Sequence, residues 1–338
     1  MVASERLVVV GAGSWGTALA IQFARAGRPT TMWGRECDDL DALQRDRENA
    51  RYLPGAAFPD LLQIEPDLGT AVASANDILV VVPSHAFRAV LTQLKPSLTD
   101  ASRVAWATKG FELDTGKLPH EVAREVIGAN VPLAVLSGPT FAAEVGRGLP
   151  TAMTVASADA TFGRDIVRSI SSDMFRAYLS DDIVGVEVGG AVKNVLAIGA
   201  GLSDGLGFGA NTRIALISRG LVEMTRLGLA IGAKRETFMG LAGMGDLVLT
   251  CTDNLSRNRR MGLALAAGKS VAEAEEEIQQ VVEGVVAAKA VYQKAESLGI
   301  EMPIVEQIHA ILYEGVQPAD AVRKLMRRAL TTESGERI

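Results

Sequence analysis

Residues 8–20 read VVVGAGSWGTALA: an apolar run broken by glycines at 11, 13 and 16, then continued by small and apolar residues. The run Leu7–Val10 predicts a strand and the stretch from about Gly13 to Arg25 predicts a helix, so the glycines stand at the turn between them. At such a turn Gly11 permits the sharp change of direction, Gly13 lets backbone approach a phosphate with no Cβ in the way, and Gly16 lets the helix pack close to the strand. The pyrophosphate of a dinucleotide then rests on the helix N-terminus, where unpaired N–H groups and the helix dipole favour negative charge. The spacing alone also fits a glycine-rich loop with only a packing role. The strand before it, the helix after it and its place at the first βα turn favour a cofactor.

Outward from this turn, residues 1–180 alternate short β-branched runs with helical stretches, the pattern of a parallel sheet with crossover helices. Strands are expected at Leu7–Val10, Thr30–Trp33, Ile78–Val82, Val104–Thr108, Leu133–Leu136, Thr151–Val155 and Phe175–Tyr178. Several are apolar without alternation, as strands buried on both faces are. After Asp182 the strand signals stop, and stretches rich in Ala, Leu, Gly and Met take over, punctuated by GLGFGAN, LAGMGD and GKS. The expected fold is α/β: a Rossmann-type, mostly parallel sheet domain (1–180) that binds the dinucleotide, followed by an all-helical, substrate-binding C-terminal domain (181–338). The boundary falls near LSDD, whose Ser and Asp residues suit a turn and a helix N-cap.

A chain of 338 residues is long enough for two cores. Its 48% hydrophobic and 22% charged residues exclude a mostly disordered chain. The net charge of −6 argues against a nucleic-acid partner and means that an anionic substrate must be drawn in by a local positive cluster. No membrane span is expected, because the most apolar stretch, around residues 184–202, is interrupted by Glu187, Lys193 and Asn194. The glycine fingerprint begins so near Met1 that no signal peptide is expected, and two cysteines, Cys37 and Cys251, are too few for a disulfide scaffold. Both readings point to the cytoplasm.

Classical NAD-binding units place an acidic residue about 20 residues beyond the glycines to hold the ribose 2′-hydroxyl. Here the second strand ends as TTMWGRE, with Gly34 and Arg35 at that place. An arginine suits a 2′-phosphate, which tilts the cofactor toward NADPH, while Glu36 beside it leaves NADH open.

Lys193, with Asn194, sits inside the apolar, Gly-rich stretch VGVEVGGAVKNVLAIGAG. Desolvating an ammonium is expensive or drives its pKa down, so a lysine there suits a proton donor to a ketone or acceptor from an alcohol, unless its head snorkels to water. Lys109, in WATKGFE, follows a strand C-terminus, on the edge where open α/β sheets bind ligands; an ordinary loop lysine would also stand there. Ser256, Arg257 and Asn258, ahead of RRMGLALAA, have the hydroxyl, guanidinium and amide of an anion site at a helix N-terminus, and equally of a helix cap. Asp246, in LAGMGD, suits orientation of the lysine, contact with a substrate hydroxyl, or capping of the next helix. His85, His120 and His309 show no metal-ligand spacing, and His85 alone falls near the expected cleft.

These motifs resemble one family. GAGSWGTALA, VVPSHAFRAVL, TKGFE, LSGPTFAAEV, GGAVKNVLAIGAGLSDGLGFGAN, LAGMGDLVLTCTDNLSRNRRMG and VVEGV occur in the order found in bacterial NAD(P)-dependent glycerol-3-phosphate dehydrogenases, over nearly the whole chain. The resemblance implies reversible conversion of dihydroxyacetone phosphate to sn-glycerol 3-phosphate with NADH or NADPH, feeding phospholipid synthesis, by a cytoplasmic homodimer. It implies cofactor contacts from Ser14, Trp15, Arg35, Lys109, Ala142, Arg257, Val281 and Glu283, beside Gly11, Gly13 and Gly16. It implies substrate contacts from Lys109, Gly138, Thr140, Lys193, Asp246, Ser256, Arg257 and Asn258, with Lys193 as the proton acceptor in oxidation and no metal. Thr140 stands where the family varies between serine and threonine. With glycines in one domain and Lys193 in the other, the site is expected in an interdomain cleft that closes over its ligands. Two competitors remain: a related reductase in which Arg257 binds a carboxylate, and a cofactor-binding protein without catalysis.

Overall fold

A computed structural model describes residues 6–327; residues 1–5 and 328–338, at the ends of the two expected domains, lie outside the described residues. Among these, the strands β1 (Leu7–Val10), β2 (Thr30–Trp33), β3 (Leu62–Ile64), β4 (Asp77–Val80), β5 (Arg103–Trp106), β6 (Leu133–Ser137), β7 (Thr151–Ser157) and β8 (Phe175–Ser180) form one sheet, ordered β3-β2-β1-β4-β5-β6-β7-β8. Its helices are α1 (Ser14–Arg25), α2 (Leu40–Asp46), α3 (Leu68–Ala73), α4 (Ser84–Leu94), α5 (Pro119–Ile127), α6 (Ala142–Arg147) and α7 (Ala160–Ile170). From there to the end of the described chain the structure is helical: α8 (Ile183–Gly205), α9 (Ala210–Ala230), α10 (Arg235–Met239), a π-helical turn at Leu241–Gly245, α11 (Asp246–Thr252), α12 (Arg257–Ala266), α13 (Val271–Ile278), α14 (Glu283–Ser297), α15 (Pro303–Tyr313) and α16 (Pro318–Met326). This is the expected α/β class with a helical C-terminal part.

Strand order reverses at β1, which pairs in parallel with β2 on one side and β4 on the other. Such a switch point opens the crevice in which doubly wound sheets bind ligands, beyond the carboxyl ends of the strands. Leu7 and Val9 pack into one apolar layer, Val8 and Val10 into the other, and all four are fully buried. A strand covered on both faces needs no polar alternation, which is why this run reads as uninterrupted valine.

The structure differs from the sequence expectation in four places. β3 was not foreseen, because Leu-Gln-Ile is too short to show a period of two. β4 and β5 begin one residue earlier than expected and end two earlier, at Asp77–Val80 and Arg103–Trp106. Their first residues are charged: the buried Asp77 carboxylate takes Arg28 at 2.5 Å and Arg103 at 2.6 Å, and pairing lets a charge enter a strand that apolar patterning excludes. β6 to β8 each run on past the expected end. Finally, β7 runs antiparallel to β6. The residues of a strand fix which of its faces are buried, not the direction in which it runs beside its neighbour, so the reversal leaves no mark in the sequence.

The described chain divides into two compact units, the first running to Gly190 and including Gly228–Asp246, the second containing Ala191–Leu227 and the chain from Leu247 onward. At the start of α8 the Asp182 carboxylate accepts hydrogen bonds from the backbone N of Gly185 (2.9 Å) and of Lys234 (2.9 Å) and from the Thr237 hydroxyl (2.5 Å). Helix α8 is long and apolar enough to cross a membrane, but 94% of its most apolar window is buried in the protein. In the second unit one glycine on each helix lets α8 and α12 pack closely: a Cβ on Gly201 of α8 would fall 2.0 Å from the Arg259 carbonyl oxygen, and one on Gly262 of α12 would fall 2.0 Å from that of Ile198.

Candidate active site

In the first unit, Gly11 adopts φ +125° between β1 and α1, where a Cβ would lie 2.2 Å from the Val81 carbonyl oxygen. A Cβ on Gly16 would lie 1.9 Å from the Gly11 carbonyl oxygen, so the helix is seated on the turn itself. Gly13 is exposed, with open space where its Cβ would be, and as the N-cap it offers no side chain to the first-turn N–H groups of α1. The indole N–H of half-buried Trp15 is buried without a protein partner. A turn that excludes a Cβ at positions 11 and 16, leaves open space at 13 and has no side chain capping the first N–H groups of α1 fits the pyrophosphate of a dinucleotide. Ser14 is half-buried in the first turn of α1.

Arg35 follows β2 with 69% of its side chain exposed, its guanidinium 3.5 Å from Asp38, and its backbone N donates to the same carboxylate at 2.8 Å. The Asp38 charge holds the guanidinium pKa above its ordinary value. His85 is exposed in the first turn of α4.

Further along the carboxyl edge, Lys109 in the β5–α5 connection donates from Nζ to Asp246 Oδ2 at 2.8 Å. Asp246 is fully buried in the first turn of α11. Gly138 follows β6 with φ +155°, where a Cβ would come within 2.9 Å of Met153 Cα; beside it the Thr140 hydroxyl donates to the Gly138 carbonyl at 3.2 Å. Ala142 opens α6 and packs partly buried against the sheet.

In the second unit, Lys193 is 6% exposed within α8 and donates from Nζ to the Thr250 hydroxyl of α11 at 3.0 Å. Its neighbour Asn194 joins a chain of amides. The Asn258 Nδ2 donates to Asn194 Oδ1 at 2.9 Å, the Asn258 Oδ1 accepts from Gly284 N at 2.8 Å, and the Asn194 Nδ2 lies 3.5 Å from a Glu283 carboxylate oxygen. Ser256 caps α12 by accepting from Arg259 N at 3.2 Å; Arg257 is half-buried as the first residue of that helix. Val281 is 49% exposed just before α14, and Glu283 is that helix's first residue.

Thus the first unit brings Lys109 to Asp246, and the second brings Asn258 beside Glu283 through Asn194. Thr250 was not singled out in the sequence, since a threonine in an apolar helix carries no signal until its partner is placed. Asn194 carried one: an amide beside a buried lysine needs partners of its own. His120 and His309 are engaged elsewhere, His120 against Glu187 and His309 stacked on Tyr292 at 4.2 Å. Among the described residues no cluster of His, Cys, Asp and Glu could hold a metal.

Two family models match, the N-terminal and C-terminal regions of NAD-dependent glycerol-3-phosphate dehydrogenase, over residues 6–163 and 182–323. Among curated relatives, a protein of Shewanella halifaxensis named glycerol-3-phosphate dehydrogenase (NAD(P)+) is 56% identical over 329 residues, 97% of each chain. Its namesake in Shewanella frigidimarina is 56% identical over 332 residues, 98% of each. The crystal structure of a Coxiella burnetii glycerol-3-phosphate dehydrogenase superposes with a TM-score of 0.93 at 47% identity, covering 96% of this chain and 99% of that one.

Proposed function

The chain belongs to the NAD-dependent glycerol-3-phosphate dehydrogenase family, and from that premise we propose that it interconverts dihydroxyacetone phosphate and sn-glycerol 3-phosphate. The cofactor is NADH or NADPH, with NADPH preferred, and the product serves phospholipid synthesis. The working form is a cytoplasmic homodimer, as the family likeness implies. The observation that carries the reading is Lys193, an ammonium buried in an apolar helix and aimed by a threonine hydroxyl.

When bound at the glycine turn, the nicotinamide cofactor supplies or accepts the hydride. The protein supplies the rest. Reduction of a ketone builds negative charge on its oxygen, and Lys193 delivers a proton there; in the reverse direction it takes the proton of the alcohol. Thr250 fixes the direction of the amine, since its hydroxyl accepts from Nζ. The phosphate of the substrate needs cations and amide donors, which Arg257 and Asn258 at the head of α12 and Lys109 provide, with Asp246 holding the Lys109 ammonium in place. Ser256, Gly138 and Thr140 complete the substrate set in this reading, and Ala142, Val281 and Glu283 the cofactor set.

Lys193→Ala tests it. The variant is expected to lose about 10²–10⁴ in kcat while binding reduced cofactor almost as the parent does, since a proton donor acts on the transition state alone. Near-normal turnover would show that another group moves the proton.

A further inference from the structure

Glu187 lies in the second turn of α8 and is 4% exposed. Its Oε1 accepts from the Trp106 indole Nε1 at 3.1 Å and from the His120 backbone N at 2.9 Å, and its Oε2 lies 2.5 Å from His120 Nδ1. Trp106 is the last residue of β5 and His120 the second residue of α5. One buried carboxylate therefore holds both ends of the connection 107–118, and that connection carries Lys109.

The same helix face also meets the lysine. Residues 187 and 190 are neighbours along α8. A Cβ built on Gly190 would lie 3.4 and 3.5 Å from Cγ and Cδ of Lys109, so the helix runs in close contact with the lysine stem. At the end of that stem, Nζ reaches Asp246. An apolar side chain of similar volume would fill the space of Glu187 without the desolvation cost of a buried carboxylate, but it could not tie a strand end to a helix start.

We propose that Glu187, acting with His120, is a positioning residue for Lys109. The carboxylate clasps the Lys109 loop at both ends and seats α8 along the lysine stem, so that the ammonium is held ready for the phosphorylated substrate. This rests on the assignment of Lys109 to the substrate, and the experiment separates the two.

Steady-state kinetics with dihydroxyacetone phosphate are compared for Glu187→Ala, Glu187→Gln, Lys109→Ala and the Lys109→Ala/Glu187→Ala double variant, at a temperature where each is folded by thermal melting. Glu187→Ala is expected to lower kcat/KM about 10–100-fold, mainly through KM, and Glu187→Gln, which keeps the shape and an acceptor, to stay within about 3-fold of the parent. The double variant is expected to fall within about 2-fold of Lys109→Ala alone, because residues acting through one another are not additive. Additive losses, or a Glu187→Ala variant that loses melting temperature but keeps kcat/KM, would overturn the proposal. A Lys109→Ala variant with parental KM would instead overturn the assignment of Lys109. If Glu187→Ala does not fold, His120→Ala takes its place in the cycle, with an expected loss of about 3–10-fold that vanishes in the Lys109→Ala background; no loss, or an additive one, overturns the proposal.

Discussion

A lysine inside an apolar helix draws attention before any coordinates exist, because an ammonium is seldom buried without a task. Lys193 shows how far such a signal reaches. Its burial was legible, but the Thr250 hydroxyl that aims it was not, since that contact joins residues 57 apart and a lone threonine has no pattern. The same holds for Asp246: three roles were open to it, and folding delivers it to Lys109 across 137 residues. Arg35 was singled out by its position alone. It stands after β2 and remains mostly exposed despite Asp38, and the proposal gives it the 2′-phosphate. Arg35→Ala is therefore expected to weaken NADPH about tenfold or more and NADH little, measured as KM for each. Equal losses for both would show that Arg35 does not read the 2′-phosphate.

At the scale of elements, the glycine turn was readable because a local rule governs it: two close approaches, at Gly11 and Gly16, with open space at Gly13 between them. Strand direction was not readable. β7 carries the same β-branched signal whether it runs with or against β6. The charged first residues of β4 and β5 were hidden for a related reason, their partners Arg28 and Asp165 lying far off in sequence. The turn itself offers a strict test. Because backbone stands 1.9 Å from where a Gly16 Cβ would be, Gly16→Ala must push α1 off β1. The expected result is a stability loss of about 1–3 kcal/mol by denaturant titration together with loss of reduced-cofactor binding by fluorescence. Unchanged cofactor affinity would show that the close seat of α1 is not part of the cofactor site.

For the whole molecule, the buried His120–Glu187 pair makes stability depend on pH. Burial pulls the His120 imidazole down, and the hydrogen bond and charge of Glu187 more than reverse this, leaving it above its ordinary value of 6.5. Burial pushes the Glu187 carboxyl up, against the pull of His120 and Trp106. A raised folded-state pKa on histidine contributes stability that is complete below the unfolded value and is lost as pH rises through the folded one. The melting-temperature advantage of the parent over His120→Gln should thus be larger at about pH 6 than at about pH 9, and an advantage constant with pH would contradict the pairing. The family likeness extends over both units, and in the proposed reaction a hydride must pass between the nicotinamide and the central carbon of a phosphorylated ketone. Turnover of dihydroxyacetone phosphate with NADH or NADPH deuterated at the transferable positions, followed by NMR of the product, measures that step directly. The expected product is sn-glycerol 3-phosphate labelled at C2, with no comparable turnover of keto acids; unlabelled product, or preferred turnover of a keto acid, would rule out the proposed reaction.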